Sequence, residues 1–173
     1  MDLRSTIRNI PDFPKKGVIF RDITTLLKKP EAFRHVLDRT EEFCRKKKVD
    51  LILGIESRGF IFGGALADRL EVGFVPVRKS GKLPADTIGY EYDLEYGSSS
   101  IEIHTDAIEP GMSVVIIDDL IATGGTMEAT CKLVEKTGGT VAGIAVLVDL
   151  SFLPWHKKLG GYDIFSLVTY DSE

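Results

Sequence analysis

Short runs of apolar residues recur along this chain and alternate with longer segments of helical pattern. The apolar runs are rich in β-branched residues and occupy residues 50–54, 73–77, 114–117, 140–150 and 162–168. Continuous runs of this kind are typical of strands that are buried on both faces of a sheet. The segments between them have helical spacing or composition and occupy residues 30–48, 60–70, 127–135 and 152–159. The alternation predicts an α/β fold with a central parallel sheet flanked by helices on both faces.

Two segments depart from this alternation, and the first is the N-terminal segment of residues 1–25. Its two prolines forbid regular structure around them. We predict a short helix within residues 1–16 that leads into an irregular arm, and an extended piece over residues 17–23. Taken alone, the charged neighbours Arg21 and Asp22 favour an edge strand whose two charges lie in solvent.

The second departure is a long excursion over residues 78–104, between two core strands. It begins with a basic stretch, and the patterns at residues 87–92 and 101–104 predict the two arms of a β-hairpin. Long connections inside compact domains are usually functional lids or disordered segments, and the aromatic and acidic residues here favour a lid. We expect the lid to be poorly ordered without a ligand, because its closure would exclude water from a reaction.

The composition narrows the class of protein. A length of 173 residues predicts one domain, residues 1–173, and the net charge of −4 gives no general electrostatic support for nucleic-acid binding. Cys44 and Cys131 lack metal-ligand spacing and are expected to be free, buried or half-buried thiols. Neither a secretory leader pattern nor an apolar run of membrane-spanning length is found. We therefore expect a cytoplasmic protein with no nucleic-acid partner and no membrane partner.

Residues 114–126, with the sequence VVIIDDLIATGGT, combine a buried strand, two acids and a loop of small residues before a helix. A helix start presents free N–H groups and a partial positive charge, and glycines let the backbone wrap closely around a phosphate. Asp118 and Asp119 cannot serve that phosphate, because like charges repel, but they suit vicinal hydroxyls or a cation such as Mg²⁺. One phosphate and one diol indicate a ribose 5-phosphate. The simpler alternative is a tight turn with an aspartate as helix cap.

The same stretch resembles the phosphoribosyl pyrophosphate (PRPP) motif of the type I phosphoribosyltransferases, and it lacks the lysine of a Walker A loop. In that family the two acids bind the 2- and 3-hydroxyls of the ribose, and the loop binds its 5-phosphate. The loop residues that the resemblance assigns to PRPP or AMP are Ala122, Thr123, Gly124, Gly125 and Thr126. The family's fold is implied as well, with an N-terminal hood at about residues 1–25 and a flexible hairpin lid at about residues 79–104.

Three further segments resemble the adenine-specific branch of this family. They are GVIFRDI at residues 17–23, ESRGF at 56–60 together with RKSGKLP at 78–84, and LEYG at 94–97. This resemblance implies transfer of the phosphoribosyl group from PRPP to adenine, giving AMP and pyrophosphate, with Mg²⁺ as cofactor and a homodimer as assembly. We expect Mg²⁺ to be held through PRPP, with Asp118 and Asp119 reached through water, and no direct side-chain ligand.

The resemblance also implies roles for single residues around the pyrophosphate. Ser57 and Arg58 resemble the family's pyrophosphate loop, and Arg58 is a catalytic candidate because a guanidinium stabilises the charge that grows on the leaving group. The further pyrophosphate ligands implied are Arg78, Lys79 and Lys82, in their own or the neighbouring subunit's site. For these three, a solvated loop is the open alternative.

Glu95 matches the family's candidate for the general acid–base group at adenine N7, and Tyr96 in the lid would pack over the site. Phe20 would stack on the purine, and the backbone around Phe20 and Arg21 would read its 6-amino group. His104, just after the lid, is interpreted as a residue without a role at the site. Two alternatives remain open: an enzyme that acts on 6-oxopurines or orotate, and a non-catalytic regulator that senses PRPP or nucleotides.

Overall fold

The computed structural model describes residues 1–93 and 97–173. Within this part of the chain the strands are β1 (Arg8–Ile10), β2 (Phe20–Asp22), β3 (Leu51–Ile55), β4 (Gly73–Lys79), β5 (Thr87–Asp93), β6 (Ser98–His104), β7 (Ser113–Ile121), β8 (Thr140–Leu150) and β9 (Ile164–Tyr170). The helices are α1 (Thr24–Leu27), α2 (Pro30–Arg45), α3 (Gly59–Leu70), α4 (Gly125–Lys136) and α5 (His156–Leu159), and a 3₁₀ turn covers Arg4–Thr6.

Seven of these strands form one sheet, in the order β5-β6-β4-β3-β7-β8-β9. The strands from β4 to β9 in that order run parallel to one another. The hairpin of β5 and β6 joins their edge antiparallel, with Arg78 opposite Glu102 and Lys79 opposite Ile101. The predicted α/β fold with a central parallel sheet is therefore confirmed, and an antiparallel hairpin extends it at one edge. Strand β3 is buried along its whole length, as its apolar run predicted.

Helices cover both faces of the sheet and enclose two apolar cores. Helix α2 begins with Pro30, and its buried side chains recur at helical spacing, at Ala32, Val36, Leu37, Thr40 and Cys44. It packs with α3 over one face, whereas α4 packs with the hairpin over the other. None of the helices in the described part of the chain is both long enough and apolar enough to cross a membrane.

The N-terminal segment differs from its prediction. The predicted short helix is present as a 3₁₀ helix over Arg4–Thr6, but the arm after it is not wholly irregular, because it contains β1, which pairs antiparallel with β2 in a separate two-stranded sheet. The expected solvent-exposed charges are also wrong, since Arg21 and Asp22 are each only 6% exposed. Asp22 accepts hydrogen bonds from Thr24 and Arg8, which lower the pKa of its carboxyl to about 2. Asp22 pairs with Arg8 of β1, and the Arg21 guanidinium packs on the ring of Tyr170. These are contacts between distant segments, which a local pattern cannot reveal.

Both predicted arms of the hairpin are present, as β5 and β6, and each is longer than expected. Two lid residues singled out from the sequence, Glu95 and Tyr96, lie outside the described residues. Their roles and the order of the lid without a ligand stay predictions.

Cys44 and Cys131 are buried free thiols, as expected. Burial raises the pKa of Cys44 to about 11 and that of Cys131 to about 12. Both thiols therefore stay protonated at neutral pH, which makes them packing residues and not nucleophiles.

Candidate active site

The candidate site is built where two neighbouring parallel strands end at different levels. Strand β3 stops at Ile55, and its pairing with β7 ends with Gly54 opposite Ile117. Strand β7 continues to Ile121, paired with the long strand β8. The predicted strand end at residue 117 is therefore wrong, because β8 goes on supplying pairing partners, and the two acids lie inside the strand. The step between β3 and β7 opens a crevice at the carboxyl ends of the strands, where ligands of such sheets bind.

Asp118 and Asp119 lie at this step with few donors to satisfy them. Asp119 is 5% exposed, and its Oδ2 lies 2.9 Å from Nε of Arg58 but accepts no hydrogen bond from the described residues. Oδ1 of Asp118 accepts the backbone N–H of Asp119 at 2.8 Å. Burial raises the pKa of both carboxyls; the charge of Asp119 raises that of Asp118 further, whereas Arg58 opposes the rise at Asp119. The pair can still accept hydrogen bonds from a ligand.

The glycine-rich loop turns the chain from β7 into α4, which begins at Gly125, slightly before the predicted helix. Gly124 has a φ of +79°, and a Cβ there would lie 3.0 Å from Cβ of Trp155, so the turn requires glycine. The first N–H groups of a helix have no partner within it. A cavity of 120 Å³ lies at this helix start, lined by Asp118, Leu120, Ile121, Ala122, Thr123, Gly124, Gly125, Thr126 and Met127. All the predicted phosphate residues are in its lining.

The loop after β3 gathers cationic side chains around Glu56. Oε2 of Glu56 accepts hydrogen bonds from Nε of Arg78 at 3.1 Å and from the backbone N–H of Lys79 at 2.9 Å. Its Oε1 accepts a hydrogen bond from Nζ of Lys82 at 3.0 Å. Burial alone would raise the pKa of Glu56, but these hydrogen bonds outweigh it and hold the pKa below its usual value. Glu56 lies in the ESRGF segment, but no local pattern predicted its contacts with these cations.

A larger cavity of 360 Å³ lies between these loops and brings six of the predicted residues together. Its lining consists of Ile55, Glu56, Ser57, Arg58, Val77, Lys79, Tyr92, Ile101, Asp118, Asp119, Leu120 and Thr126. The predicted residues Arg78 and Lys82 are not in this lining and meet Glu56 beside it. The crevice is therefore anionic at the strand step and cationic at its rim.

The two candidate adenine residues, Phe20 and Arg21, behave differently. The guanidinium carbon of Arg58, a residue that lines the larger cavity, is 5.3 Å from the centre of the Phe20 ring, whereas Phe20 is not itself in that lining. The Arg21 side chain packs 3.9 Å from the centre of the Tyr170 ring and donates to Oδ1 of Asn9 at 2.7 Å. Neighbours on a strand point to opposite faces, which explains the difference. A role of Arg21 through its backbone stays a prediction.

Sequence reasoning also missed Tyr92, which lines the larger cavity from the hairpin. The hydroxyl of Tyr92 lies 3.0 Å from Oγ1 of Thr126. The available signal was the tyrosine pair at 90 and 92, since alternate residues of a strand share one face. His104, at the end of β6, lines neither of these two cavities.

The stepped strands, the acid pair and the glycine-rich helix start define a phosphoribosyl transferase domain, and the sequence model of that domain matches residues 22–158. An adenine phosphoribosyltransferase of Acidobacterium capsulatum is 57% identical over 168 residues, which cover 97% of this chain and 93% of that one. The adenine phosphoribosyltransferase of Clostridium perfringens is 56% identical, with 99% of each chain covered. This chain belongs to the adenine phosphoribosyltransferases.

Solved structures agree with that placement. The crystal structure of adenine phosphoribosyltransferase from Thermoanaerobacter pseudethanolicus matches with a TM-score of 0.94 and 55% identity, covering 98% of each chain. The Saccharomyces cerevisiae enzyme, complexed with adenine and an imino-altritol bisphosphate, matches with a TM-score of 0.90 and 40% identity over 96% of each chain. The type I phosphoribosyltransferase fold that the sequence resemblance implied is therefore confirmed.

Proposed function

We propose that this chain transfers the 5-phosphoribosyl group of PRPP to adenine, which gives AMP and pyrophosphate in purine salvage. The observation that carries the proposal is the pair of adjoining cavities in which the acid pair, the start of α4 and a cationic loop meet. The named relatives, which are more than half identical to this chain, support the same reaction.

The phosphoribosyl group would bind across the strand step. Its 5-phosphate would lie at the start of α4, where free N–H groups and the hydroxyls of Thr123 and Thr126 can donate to it. Its 2- and 3-hydroxyls would donate to Asp118 and Asp119, of which Oδ2 of Asp119 accepts no hydrogen bond from the described residues. As the bond to pyrophosphate breaks, the sugar gains oxocarbenium character, and the same carboxylates would disperse that positive charge.

The leaving pyrophosphate would lie on the cationic side of the crevice. Negative charge grows on it as the C1–O bond breaks, so cations placed there stabilise the transition state more than the ground state. Arg58 and the backbone at Ser57 line the cavity at this side. Lys79 would join them, together with Arg78 and Lys82 once pyrophosphate replaces Glu56 as their partner.

The acid pair also fits Mg²⁺, the ion that phosphoribosyltransferases generally use with PRPP. Oδ2 of Asp119 is buried and accepts no hydrogen bond from the described residues, and carboxylate oxygens are ligands that Mg²⁺ prefers. PRPP itself would supply most of the ligands, with Asp118 and Asp119 reached through water. When bound, the ion would neutralise charge on the pyrophosphate.

Adenine would stack on Phe20, beside Arg58, with its 6-amino group read by the backbone near Arg21. The structure of the Giardia lamblia enzyme with 9-deazaadenine, 37% identical to this chain, supports a purine site in this fold. Glu95 would exchange the proton at N7 while Tyr96 covers the site, a role that rests on the sequence resemblance alone. Glu95→Gln should lower kcat strongly and leave PRPP affinity nearly unchanged, and unchanged turnover would assign the proton to another group.

The proposed assembly is a homodimer in the cytoplasm, in which Arg78, Lys79 and Lys82 serve their own or the neighbouring subunit's site. Sedimentation of the purified protein tests the assembly, and a fully active monomer would contradict it.

The deciding experiment offers the purified protein PRPP and Mg²⁺ with adenine, hypoxanthine, guanine or orotate, and follows nucleotide formation by chromatography. Adenine presents an amino donor at position 6 where hypoxanthine and guanine present an oxo acceptor, so a backbone carbonyl facing this position would reject both. Sites built on such pairing discriminate by about 10⁴ or more. We expect kcat/KM to favour adenine by several orders of magnitude. Comparable activity with hypoxanthine would overturn the choice of base, and PRPP binding without turnover would favour a regulator.

A further inference from the structure

Tyr92 of strand β5 lies over the first turn of α4, although it belongs to the hairpin. Its hydroxyl oxygen is 3.0 Å from Oγ1 of Thr126, and its half-buried ring lines the cavity that contains the acid pair. A Cβ at Gly125 would lie 3.3 Å from Cδ2 of Tyr92, which is closer than ordinary contact. The missing side chain at Gly125 therefore makes room for the tyrosine ring at the helix start.

The hydrogen bond between Tyr92 and Thr126 has two possible directions, since either hydroxyl can donate. Each hydroxyl carries one proton and can accept further hydrogen bonds. A phosphate at the start of α4 accepts only, so Thr126 can serve it only by donating its single proton. In that state Tyr92 must donate to Oγ1 of Thr126, which leaves the threonine proton directed at the phosphate.

We propose that Tyr92 is a positioning residue of the 5-phosphate site, which acts through Thr126 by holding the threonine hydroxyl with its proton toward the phosphate. The proposal rests on the proposed function, because it needs a substrate that carries a 5-phosphate. A chain of hydrogen bonds polarises along its length, so the phenol strengthens the bond from Thr126 to the phosphate. The site is then completed by the hairpin, an element distant from the motif of residues 114–126.

Strand β5 also offers a matched control in Tyr90. Tyr90 lies two residues before Tyr92 on the same face of β5, and both rings pack against the same apolar core. The Tyr90 hydroxyl makes no hydrogen bond with the residues that the structure describes, in contrast to the Tyr92 hydroxyl. Tyr90→Phe therefore makes the same chemical change in the same strand without touching Thr126.

The test compares Tyr92→Phe and Tyr90→Phe for binding of AMP and adenosine by calorimetry, and for steady-state kinetics. Losing one neutral hydrogen bond corresponds to roughly a threefold to tenfold loss of affinity. We expect Tyr92→Phe to weaken AMP binding and raise the KM for PRPP by that factor, with kcat and the KM for adenine within about twofold of the wild type. Adenosine binding should not change, because adenosine has no phosphate. Tyr90→Phe should match the wild type in every measurement.

Two further variants separate positioning from general packing. In a Thr126→Val background Tyr92→Phe should cost no further AMP affinity, because no hydroxyl is left to orient. In a Thr126→Ser background the hydroxyl remains, and the sensitivity to Tyr92→Phe should persist. Thermal unfolding of each variant checks that it is folded.

Unchanged AMP affinity in Tyr92→Phe would overturn the proposal. Equal losses for AMP and adenosine, or full additivity with Thr126→Val, would overturn it as well, since each shows an effect that does not pass through the phosphate. These binding measurements need no turnover. A wild-type protein that binds AMP but forms none from PRPP and adenine would contradict the proposed function, while the role of Tyr92 would still be decided.

Discussion

Two carboxylates of this molecule are almost equally shielded from solvent but differ in the hydrogen-bond donors around them. Glu102 on β6 is 6% exposed and Asp119 on β7 is 5% exposed. Glu102 accepts the backbone N–H of Gly81 at 2.9 Å and the hydroxyls of Ser80 and Thr87 at 3.3 Å each. Oδ2 of Asp119 has an arginine close by but accepts no hydrogen bond from the described residues. The two carboxylates are almost equally shielded from solvent, but Asp119 has fewer donors around it and lies deeper in the molecule.

The pKa values of these carboxyls shift in opposite directions because both the donors and the depth of burial differ. At Glu102 burial alone would raise the pKa, but the hydrogen bonds from Gly81 and its neighbours outweigh it and lower the pKa. At Asp118 and Asp119 burial prevails and the pKa rises. A buried carboxylate with all the donors it needs holds structure together, here the turn after β4 against the hairpin. A buried carboxylate short of donors is available to a ligand.

The largest effect expected from this difference is on PRPP use. Asp118→Asn or Asp119→Asn should lower kcat/KM for PRPP by roughly 10- to 100-fold, because a hydrogen bond to a charged group contributes about 1.5–3 kcal/mol. Steady-state kinetics measure the loss, and thermal unfolding should show equal or higher stability, since the change removes a buried charge. Glu102→Gln is the matched control, with kcat/KM expected within a few-fold of the wild type. Normal PRPP kinetics in both aspartate variants would remove these residues from the proposed site.

A smaller effect is expected on the stability of the fold, and it concerns Glu102 and not the aspartate pair. Glu102→Gln should lower the free energy of unfolding by about 1–3 kcal/mol, because the amide cannot accept hydrogen bonds through both of its terminal atoms and leaves buried donors unpaired. Urea denaturation at pH 7 measures the difference. A variant as stable as the wild type would show that the hydrogen bonds to Glu102 do not hold the turn.

The smallest expected effect is the pH dependence of these stability differences. Glu102→Gln should be less stable than the wild type at neutral pH, whereas Asp118→Asn should be equally or more stable. The pKa of Glu102 in the folded state lies below the usual 4.5, so its contribution to stability is complete above about pH 5 and is lost as the pH falls through the folded pKa. The gap between wild type and Glu102→Gln should therefore narrow on acidification. For Asp118 the folded pKa lies above 3.8, so the ionised group destabilises the fold at neutral pH, and any gain in Asp118→Asn should fade as the pH drops. Urea denaturation at pH 7, 5 and 4 distinguishes the two trends.

The sequence predicted what is encoded within one continuous stretch. The sheet strands, the helices and the site between residues 114 and 126 depend on apolar periodicity and on neighbours along the chain, which a pattern contains. The acid pair and the glycine loop could be assigned together for the same reason. The helix start at Gly125 and the strand end at Ile121 were displaced by a few residues, because pairing with β8 extends β7 beyond its apolar run.

What the sequence could not predict depends on contacts between distant segments. Arg21 is buried because its guanidinium packs on Tyr170, close to the other end of the chain. Glu56 meets Lys82, and Tyr92 meets Thr126, only once β3, the hairpin and α4 are assembled. The residues next to either partner in the sequence do not indicate such a contact, so these pairs can be identified only in the structure.

The step between β3 and β7 has a consequence for how such sites can arise. Successive side chains of a strand point to opposite faces of the sheet, so adjacent acids in mid-sheet would be separated by the backbone and by the next strand. Beyond the end of β3 that barrier is absent, and Asp118 and Asp119 line one cavity. The length of the neighbouring strand, here β3, thus decides whether two adjacent residues of β7 can bind the same ligand. A protein could gain or lose a diol-binding site through a change of strand length, with no change in the residues that bind.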